Sequence, residues 1–311
     1  MPKSPTGDSN LYLQVGTKRP AVAVLGEVLW DLFDHSRRLG GAPLNFAAHA
    51  ARLGHEPLLI SAVGTDCLGE EAIGAIQALG LTTSFLQQTT RFPTGAARVH
   101  LGPGNQTRFT IERPAAYDDI RISGSDLEKL VSQAPGWLYH GTLFASTAAG
   151  EAVLCRLSNA LPAATRFYDL NLRQGCWSAP LVTRLLRSAD VVKLNEEELA
   201  GMQEFAGLPR ATEAFCREGA HRYGWMAVGV TLGARGCAVL AHGDYVESEG
   251  HSVKVVDTVG AGDAFAAAFL HGLISEWPAA EIAAFANRVG ALVASRHGAI
   301  PAWTLEEAVA L

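Results

Sequence analysis

The sequence predicts an α/β fold in which a mostly parallel central sheet carries helices on both faces. Uninterrupted apolar runs such as Ala21–Gly26 are typical of strands that are buried on both sides. Alanine-rich stretches that end at a glycine follow these runs, as residues 45–54 do after the first one. The repeated alternation of strand and helix indicates parallel strands joined by helical crossovers.

The composition sets limits on the function. The chain has 311 residues, of which 48% are hydrophobic and 18% charged, which is enough for a large globular core. A formal net charge of -6 without a basic tract argues against nucleic acid as a partner. No apolar run reaches the length of a membrane span, and the polar residues 1–19 lack the apolar core of a signal peptide. The five scattered cysteines favour reduced thiols in a cytoplasmic protein over a zinc site or a disulfide framework.

The N-terminal part of the chain predicts two strand–helix units. The first strand is Ala21–Gly26, and we expect the helix of this unit to begin at Asn45 and to end at Gly54. The second unit comprises a strand at Pro57–Val63 and a helix at Asp66–Leu79.

The same alternation resumes in the second half of the chain. Apolar runs predict further strands, and a short strand end precedes a glycine turn and a helix of small residues. The predicted segments are the strands Trp137–Gly141, Arg166–Asn171, Ala189–Leu194, Trp225–Thr231 and Val253–Val256, and the helices 263–272 and Ala279–Ser295.

Two segments interrupt this alternation and predict a small lid. Residues 28–39 contain no helical pattern, and residues 94–113 alternate over two arms that flank a turn at Gly102–Asn105. A hairpin of this kind does not fit a central parallel strand. We therefore expect both segments to form a small antiparallel β lid at one edge of the main sheet. The alternative is a surface hairpin without a function.

The stretch Asp257–Asp263 (DTVGAGD) combines an anion site with a candidate base. Small residues in a turn before a helix leave backbone N–H groups open to a phosphate, which points to Gly260, Ala261 and Gly262. A carboxylate beside a bound phosphate is unfavourable unless it accepts a proton from an attacking hydroxyl, and Asp263 is suited to that role. The alternative is that Asp263 serves the helix dipole alone.

This stretch resembles the signature of the ribokinase-like carbohydrate kinases, also called phosphofructokinase B-type kinases. Further segments are similar to other motifs of that family and occur in the family's order: Gly40–Ala47, Lys193–Glu198 and Thr231–Gly236. The similarity extends from about Ala21 to Pro301, which is nearly the whole chain. It implies one ribokinase-like domain over residues 20–311 that includes the two lid segments, with residues 1–19 as a polar extension.

The resemblance also implies roles for individual residues in an ATP-dependent sugar kinase. Asp263 would be the base, and the N–H groups of Gly260, Ala261 and Gly262 would stabilise the transferred phosphoryl group together with Arg173. The residues expected at the sugar are Asp31, Gly41, Asn45, Arg98 and Asn171. Those expected at the nucleotide are Asn195, Thr231, Gly233, Gly236 and Gly262, and Asn195 and Glu198 would organise Mg²⁺ through water.

Simpler interpretations of these motifs stay open. Acidic residues in a first helical turn stabilise the dipole, which would explain the three glutamates at 196–198 without a metal. The D-x-N-x-R stretch at 169–173 could be a set of salt bridges at a strand end. Asp257 would help to hold a monovalent cation such as K⁺. Ala302, however, stands where the family often has a hydroxyl residue, so the cation site could instead rest on backbone carbonyls.

The details of these motifs favour fructose as the sugar. The segments at the first strand end and at 169–173 are most similar to fructokinases, and the Asp31 carboxylate suits vicinal hydroxyls of a neutral sugar. 2-Keto-3-deoxygluconate is the alternative substrate, because Arg98 and Arg108 on the hairpin could bind its carboxylate. A non-catalytic sugar-binding paralogue is a third hypothesis, against which the intact Asp263 argues. A homodimer through the lid is compatible with each of them.

Overall fold

The computed structural model describes residues 20–101 and 107–311. The strands are β1 Ala21–Leu25, β2 Leu29–Leu32, β3 Arg37–Gly40, β4 Glu56–Gly64, β5 Leu86–Thr89, β6 Gly95–Leu101, β7 Thr107–Glu112, β8 Trp137–Gly141, β9 Thr165–Asp169, β10 Val191–Asn195, β11 Ala227–Thr231, β12 Gly236–Ala241 and β13 Asp244–Glu249. The helices are α1 Ala42–Arg52, α2 Cys67–Ala78, α3 Gly124–Ser132, α4 Thr142–Ala145, α5 Ala148–Ala160, α6 Ala179–Ser188, α7 Glu196–Ala206, α8 Thr212–Tyr223, α9 Ala261–Ile274, α10 Ala279–Ala294 and α11 Leu305–Ala310. None of the helices in these two ranges is long and apolar enough to cross a membrane.

The main sheet contains nine strands in the order β13-β12-β11-β10-β9-β8-β1-β4-β5. Its pairings from β11 to β5 are parallel, and β12 and β13 form an antiparallel edge. Helices α1, α9 and α10 pack on one face, and α5, α6 and α8 pack on the other. In β1, Val22 and Val24 point to the first group while Ala23 and Leu25 point to the second. The predicted class, with a strand buried on both sides, is confirmed.

Helix α9 lies between α1 and α10 on the first of these faces. All of its residues from Asp263 to Leu273 are buried. Its small residues allow close approach, because a Cβ atom at Gly272 would lie 2.8 Å from the Ile282 side chain of α10. The N-terminus of α9 is therefore held in place by packing along most of the helix.

The two predicted lid segments form one small sheet in the order β3-β2-β6-β7. The β2–β3 and β6–β7 pairs are antiparallel, whereas β2 and β6 run parallel. This outcome confirms the small β lid and adds a parallel pairing that joins its two segments. The predicted turn at residues 102–105 and the polar extension at 1–19 lie outside the described residues.

Two local predictions differ from the structure. Residues 253–256 form no strand, because β13 already occupies the edge of the main sheet, and Val255 is 58% exposed. Helix α1 begins at Ala42 and not at Asn45, since Pro43 is tolerated in a first helical turn. The earlier start places Asn45 inside α1, where helix packing and not a flexible loop fixes its direction.

A hydrogen-bond network joins the hairpin of the small sheet to the main sheet. The Asp66 carboxylate accepts from the backbone N–H of Thr94 at 2.8 Å and from its hydroxyl at 2.6 Å. The same Thr94 hydroxyl oxygen accepts from the N–H of Gly64 at 2.9 Å. Asp66 also caps α2 by accepting from the N–H of Gly69 at 2.8 Å. Because these groups satisfy one another, the entry into β6 has a defined position at the end of β4.

Two glycines of α2 provide a test of this junction. A Cβ atom at Gly69 would lie 2.0 Å from the carbonyl oxygen of Gly64, whereas one at Gly74 would have no atom within 4 Å. We expect Gly69→Ala to lower the free energy of unfolding in urea by about 1–3 kcal/mol through overpacking. Gly74→Ala should raise it by about 0.5–1 kcal/mol through helix propensity. Equal effects of the two substitutions would contradict the close contact.

Candidate active site

A cleft of about 310 Å³ opens between the main sheet and the small sheet. It lies beyond the carboxyl ends of β1, β9, β10 and β11, the edge at which open α/β sheets bind ligands. Leu29, Ala97 and Ile111 of the small sheet form its apolar wall. The polar residues around it are Glu27, Asp31, Asn45, Asn171, Arg173, Lys193, Asn195, Thr231, Thr258 and Asp263.

Asp263 is a buried carboxyl group in the first turn of α9. It is 9% exposed, and its Oδ2 accepts a hydrogen bond from the Asn45 amide at 2.8 Å. Burial raises the pKa of Asp263 to about 6; Asp169 adds to this rise, while Lys193 opposes it. Asp263 is thus ionised at neutral pH and is a stronger base than an ordinary aspartate, which suits proton abstraction.

The start of α9 presents backbone N–H groups to the same cleft. Gly260 has a left-handed φ of 80°, and a Cβ atom there would lie 2.5 Å from the Ala299 carbonyl oxygen. The N–H of Ala261 donates to Thr258 at 3.3 Å, a weak turn bond. Within the described chain the N–H groups of Gly260 and Gly262 donate to no acceptor. Two of the three predicted groups are therefore available to an anion.

Lys193 also lines the cleft, although its sequence motif pointed only to Asn195 and Glu198. Its ammonium lies 3.1 Å and 3.3 Å from the two oxygens of Asp169, and both side chains are buried. It also lies 3.1 Å from the position that a Cβ atom would take at Gly262. The sequence did contain a signal for Lys193. It stands two residues before Asn195 in β10, and residues two apart in a strand point to the same face of the sheet.

Neighbouring carboxylates keep the ammonium group of Lys193 protonated. Burial by itself would lower the pKa of the lysine, but the carboxylates of Asp169, Glu198 and Asp263 raise it above its usual value. Tyr139 donates a further hydrogen bond to Asp169 at 3.1 Å. A permanent cation therefore stands beside the open N–H groups of α9, where it would attract a phosphate.

The structure brings Asp31, Gly41 and Asn45 together at one end of the cleft. Burial raises the pKa of Asp31 to about 6, although Arg173 and Arg38 oppose the shift. Gly41 has a φ of 109°, and a Cβ atom there would lie 2.5 Å from the Glu27 carbonyl oxygen. The glycine is required by this close approach. Asn171 and Arg173 follow β9 and line the cleft as predicted.

Arg98 is not brought to the cleft, which corrects its expected contact with substrate. Along β6 it alternates with Ala97, which does line the cleft, so Arg98 points to the opposite side of the small sheet. Its side chain is 60% exposed and donates to Glu112 at 2.6 Å. The Arg108 side chain lies outside the described residues.

Asn195 and Glu198 form a capping box at the start of α7. The Asn195 side chain accepts from the N–H of Glu198, and Glu198 accepts from the N–H of Asn195, both at 2.8 Å. The other Glu198 oxygen accepts from the N–H of Leu172 at 2.7 Å, which ties the loop after β9 to α7. Capping thus accounts for Glu198, while Glu196 and Glu197 are exposed.

For Mg²⁺ this pair fits a role through bound water. Asn195 lines the cleft, and Glu198 lies behind it with both oxygens already accepting one N–H each. Across residues 20–101 and 107–311 no group of three or more histidine, cysteine, aspartate or glutamate side chains is arranged to hold a metal ion. Direct ligands would therefore come mainly from a bound phosphate.

The predicted nucleotide turn lies directly after β11. Thr231 lines the cleft, and Gly233 begins a short 3₁₀ turn with a φ of 61°. Gly236 has a packing reason to be glycine, since a Cβ atom there would lie 2.0 Å from the Ser248 carbonyl oxygen. Thr231 is thus the member of this turn that reaches the cleft itself.

Asp257 links three parts of the molecule at the rim of the cleft. Its Oδ1 accepts from the N–H of Val259 at 3.1 Å, and its Oδ2 accepts from the N–H of Gly298 at 3.1 Å. Arg38 of β3 donates to the same Oδ2 at 2.8 Å. A cation from the small sheet therefore already pairs with the carboxylate that was expected to face a monovalent ion.

Comparisons with known proteins agree with this geometry. The sequence model of the pfkB family carbohydrate kinases matches residues 17–305. A fructokinase of Escherichia coli is 33% identical over 305 residues, which cover 90% of this chain and 95% of that protein. A double mutant of fructokinase from Vibrio cholerae, solved with fructose, ADP and a potassium ion, is 25% identical with a TM-score of 0.77 over 92% of this chain and 96% of that one.

A second solved structure, of an enzyme with a different activity, has the same fold. A 2-dehydro-3-deoxygluconokinase of Thermotoga maritima is 21% identical and has a TM-score of 0.81 over 93% of this chain and 98% of that one. The fold and the small sheet are what the resemblance implied. With a family model that matches nearly its entire length, the chain belongs to the pfkB family of carbohydrate kinases.

Proposed function

We propose that the protein transfers the γ-phosphoryl group of ATP to a hydroxyl of a neutral sugar, with fructose as the preferred substrate. The observation that carries this proposal is the buried Asp263 carboxylate beside the open N–H groups of α9. Asp263 takes the proton from the sugar hydroxyl, and the hydroxyl oxygen forms a bond to the γ-phosphorus. The bond between that phosphorus and the β–γ bridging oxygen breaks, and ADP leaves.

Several groups of the chain are suited to stabilise the charge of the transferred group. The N–H groups of Gly260 and Gly262 would donate to its oxygens, and Lys193 and Arg173 would provide positive charge from the sheet side. Mg²⁺ bound with ATP would neutralise charge on the phosphates, with Asn195 and Glu198 holding its water ligands. Thr231 supports a nucleotide on this side of the cleft.

The charges at the sugar end favour a neutral substrate. Two carboxyl groups, Asp31 and Glu27, line this end, and their ionised forms would repel a carboxylate on the substrate. Of the lid cations, Arg98 points away and is paired with Glu112, and Arg38 is paired with Asp257. The acidic alternative, 2-keto-3-deoxygluconate, would have to rely on Arg173, which also faces the transferred phosphate. A panel of sugars in an ADP-release assay discriminates the two.

Asp263→Asn tests the base. We expect turnover to fall by about 10²–10⁴, because the amide keeps the hydrogen bond but cannot accept the proton. Fructose and ATP should still bind with nearly unchanged affinity in calorimetry.

In the unmodified enzyme, kcat/KM should fall as the pH drops through about 6, where Asp263 gains its proton.

The matched control for this substitution is Asp126→Asn. Asp126 is also a first-turn carboxylate, in α3, and does not line the cleft. It should leave turnover unchanged. A loss of less than about tenfold in Asp263→Asn would show that this residue serves the helix dipole and not proton transfer.

We infer that Arg38 supplies the positive charge at Asp257, the residue that was expected to help hold a monovalent cation. The kcat/KM of the unmodified enzyme should then change by less than about twofold when KCl is replaced by choline chloride at equal ionic strength. Arg38→Gln should make activity dependent on K⁺. The control is Arg37→Gln, since Arg37 pairs instead with Glu71 at 2.6 Å. Strong activation of the unmodified enzyme by K⁺ would contradict the inference.

A further inference from the structure

The carboxyl group of Glu27 stands out among the polar groups of the cleft. It is 5% exposed, and its Oε2 atom is buried without a hydrogen-bond partner in the described chain. A buried acceptor of this kind is unfavourable unless a partner satisfies it. Because Glu27 lines the cleft, a bound ligand can provide that partner.

The backbone fixes the position of Glu27 from two sides. It is separated from β1 by Gly26 alone, and Gly26 packs so closely against Pro43 that a Cβ atom would lie 2.4 Å from that ring. The N–H of Ala42, at the start of α1, hydrogen-bonds to the Glu27 carboxyl group. One part of the carboxyl group is therefore held by the backbone, while Oε2 stays available.

The side chain of Asn45, which also lines the cleft, likewise has one hydrogen-bonded atom and one buried oxygen without a partner. Its amide nitrogen donates to Asp263, while its Oδ1 atom is buried and has no partner within the described residues. Two buried acceptors, Glu27 Oε2 and Asn45 Oδ1, thus line the same space as the candidate base. The hydroxyl groups of a sugar are donors that match both.

We propose that Glu27 is a substrate-specificity residue, whose Oε2 atom binds a hydroxyl of the neutral sugar beside the one that Asp263 deprotonates. This inference rests on the proposed sugar kinase function and names a second contact in its sugar site. A deoxy carbon would leave Oε2 without a partner, and a carboxylate would meet like charge whenever Glu27 is ionised. The site therefore selects sugars with a hydroxyl at this position.

The electrostatics of the cleft support a hydrogen-bonding role. Burial raises the pKa of Glu27 to about 7, with Arg173 lowering it and Asp263 raising it. A carboxyl group in either protonation state can pair with a hydroxyl, since the sugar oxygen also accepts. The competing explanation is that Glu27 serves the start of α1 alone, as a capping group.

The experiment combines two variants with deoxy sugars. Glu27→Ala and Glu27→Gln are compared with the unmodified enzyme on fructose and on its 1-, 3- and 4-deoxy analogues. Sugar binding without nucleotide is measured by calorimetry, and KM for ATP is recorded. Glu56→Gln, an exposed glutamate at the start of β4, is the control.

We expect Glu27→Ala to lower kcat/KM for fructose by about 10–100-fold and to weaken fructose binding, with KM for ATP changed by less than about twofold. Glu27→Gln should lose less, because its amide still pairs with a hydroxyl. For one deoxy analogue, the unmodified enzyme should lose as much as Glu27→Ala loses with fructose. The variant should show no further loss with that same analogue.

Two results would overturn the inference, and they differ in what else they affect. If Glu27→Ala reduces activity equally for fructose and for every deoxy analogue, Glu27 supports α1 and does not contact the sugar. The proposed function then stands. If the unmodified enzyme phosphorylates no neutral sugar, both the sugar assignment and the role of Glu27 are wrong.

Discussion

The candidate site depends on one constraint, which is that an ionised carboxylate must stay buried next to backbone N–H groups that are open to an anion. Asp263 meets this constraint through the amide of Asn45 and through the ammonium of Lys193, which Asp169 holds in place. A buried ion pair is a weak source of stability, because desolvation offsets its attraction. Here the pair has another use. It fixes a cation, Lys193, beside the N-terminus of α9, and that cation opposes the rise in the pKa of Asp263.

Helix α1 transmits this constraint to the rest of the fold. Asn45, His49 and Arg52 lie on one face of α1 and bond to Asp263, to the Ala299 carbonyl and to the Pro301 carbonyl, respectively. Burial lowers the pKa of His49 to about 4, and its second nitrogen accepts from the indole N–H of a buried tryptophan. The helix thus connects the cleft, the candidate base Asp263 and the loop that packs against Gly260.

The sequence was informative where a local pattern carries the chemistry, and less so where distant segments meet. Buried strands, the small sheet and the position of Asp263 follow from apolar runs, alternation and a glycine turn. The partners of Lys193 and the unpaired oxygen of Glu27 could not be predicted from such patterns, since they depend on contacts between separate elements. The prediction for Arg98 chose the wrong face of β6, because neighbouring residues along a strand point to opposite faces of the sheet. Residues 253–256 form no β-strand even though most of them are apolar, because no neighbouring strand is available to pair with them.

The most direct test of the account follows the phosphoryl group itself. The protein is incubated with Mg²⁺, ATP labelled at its γ-phosphate and fructose, and the products are separated over time. The account predicts a labelled sugar phosphate that forms in equal amount to ADP and that requires the sugar. Label that appears in inorganic phosphate at the same rate with or without any sugar would contradict it, because the cleft would then activate water and not a sugar hydroxyl.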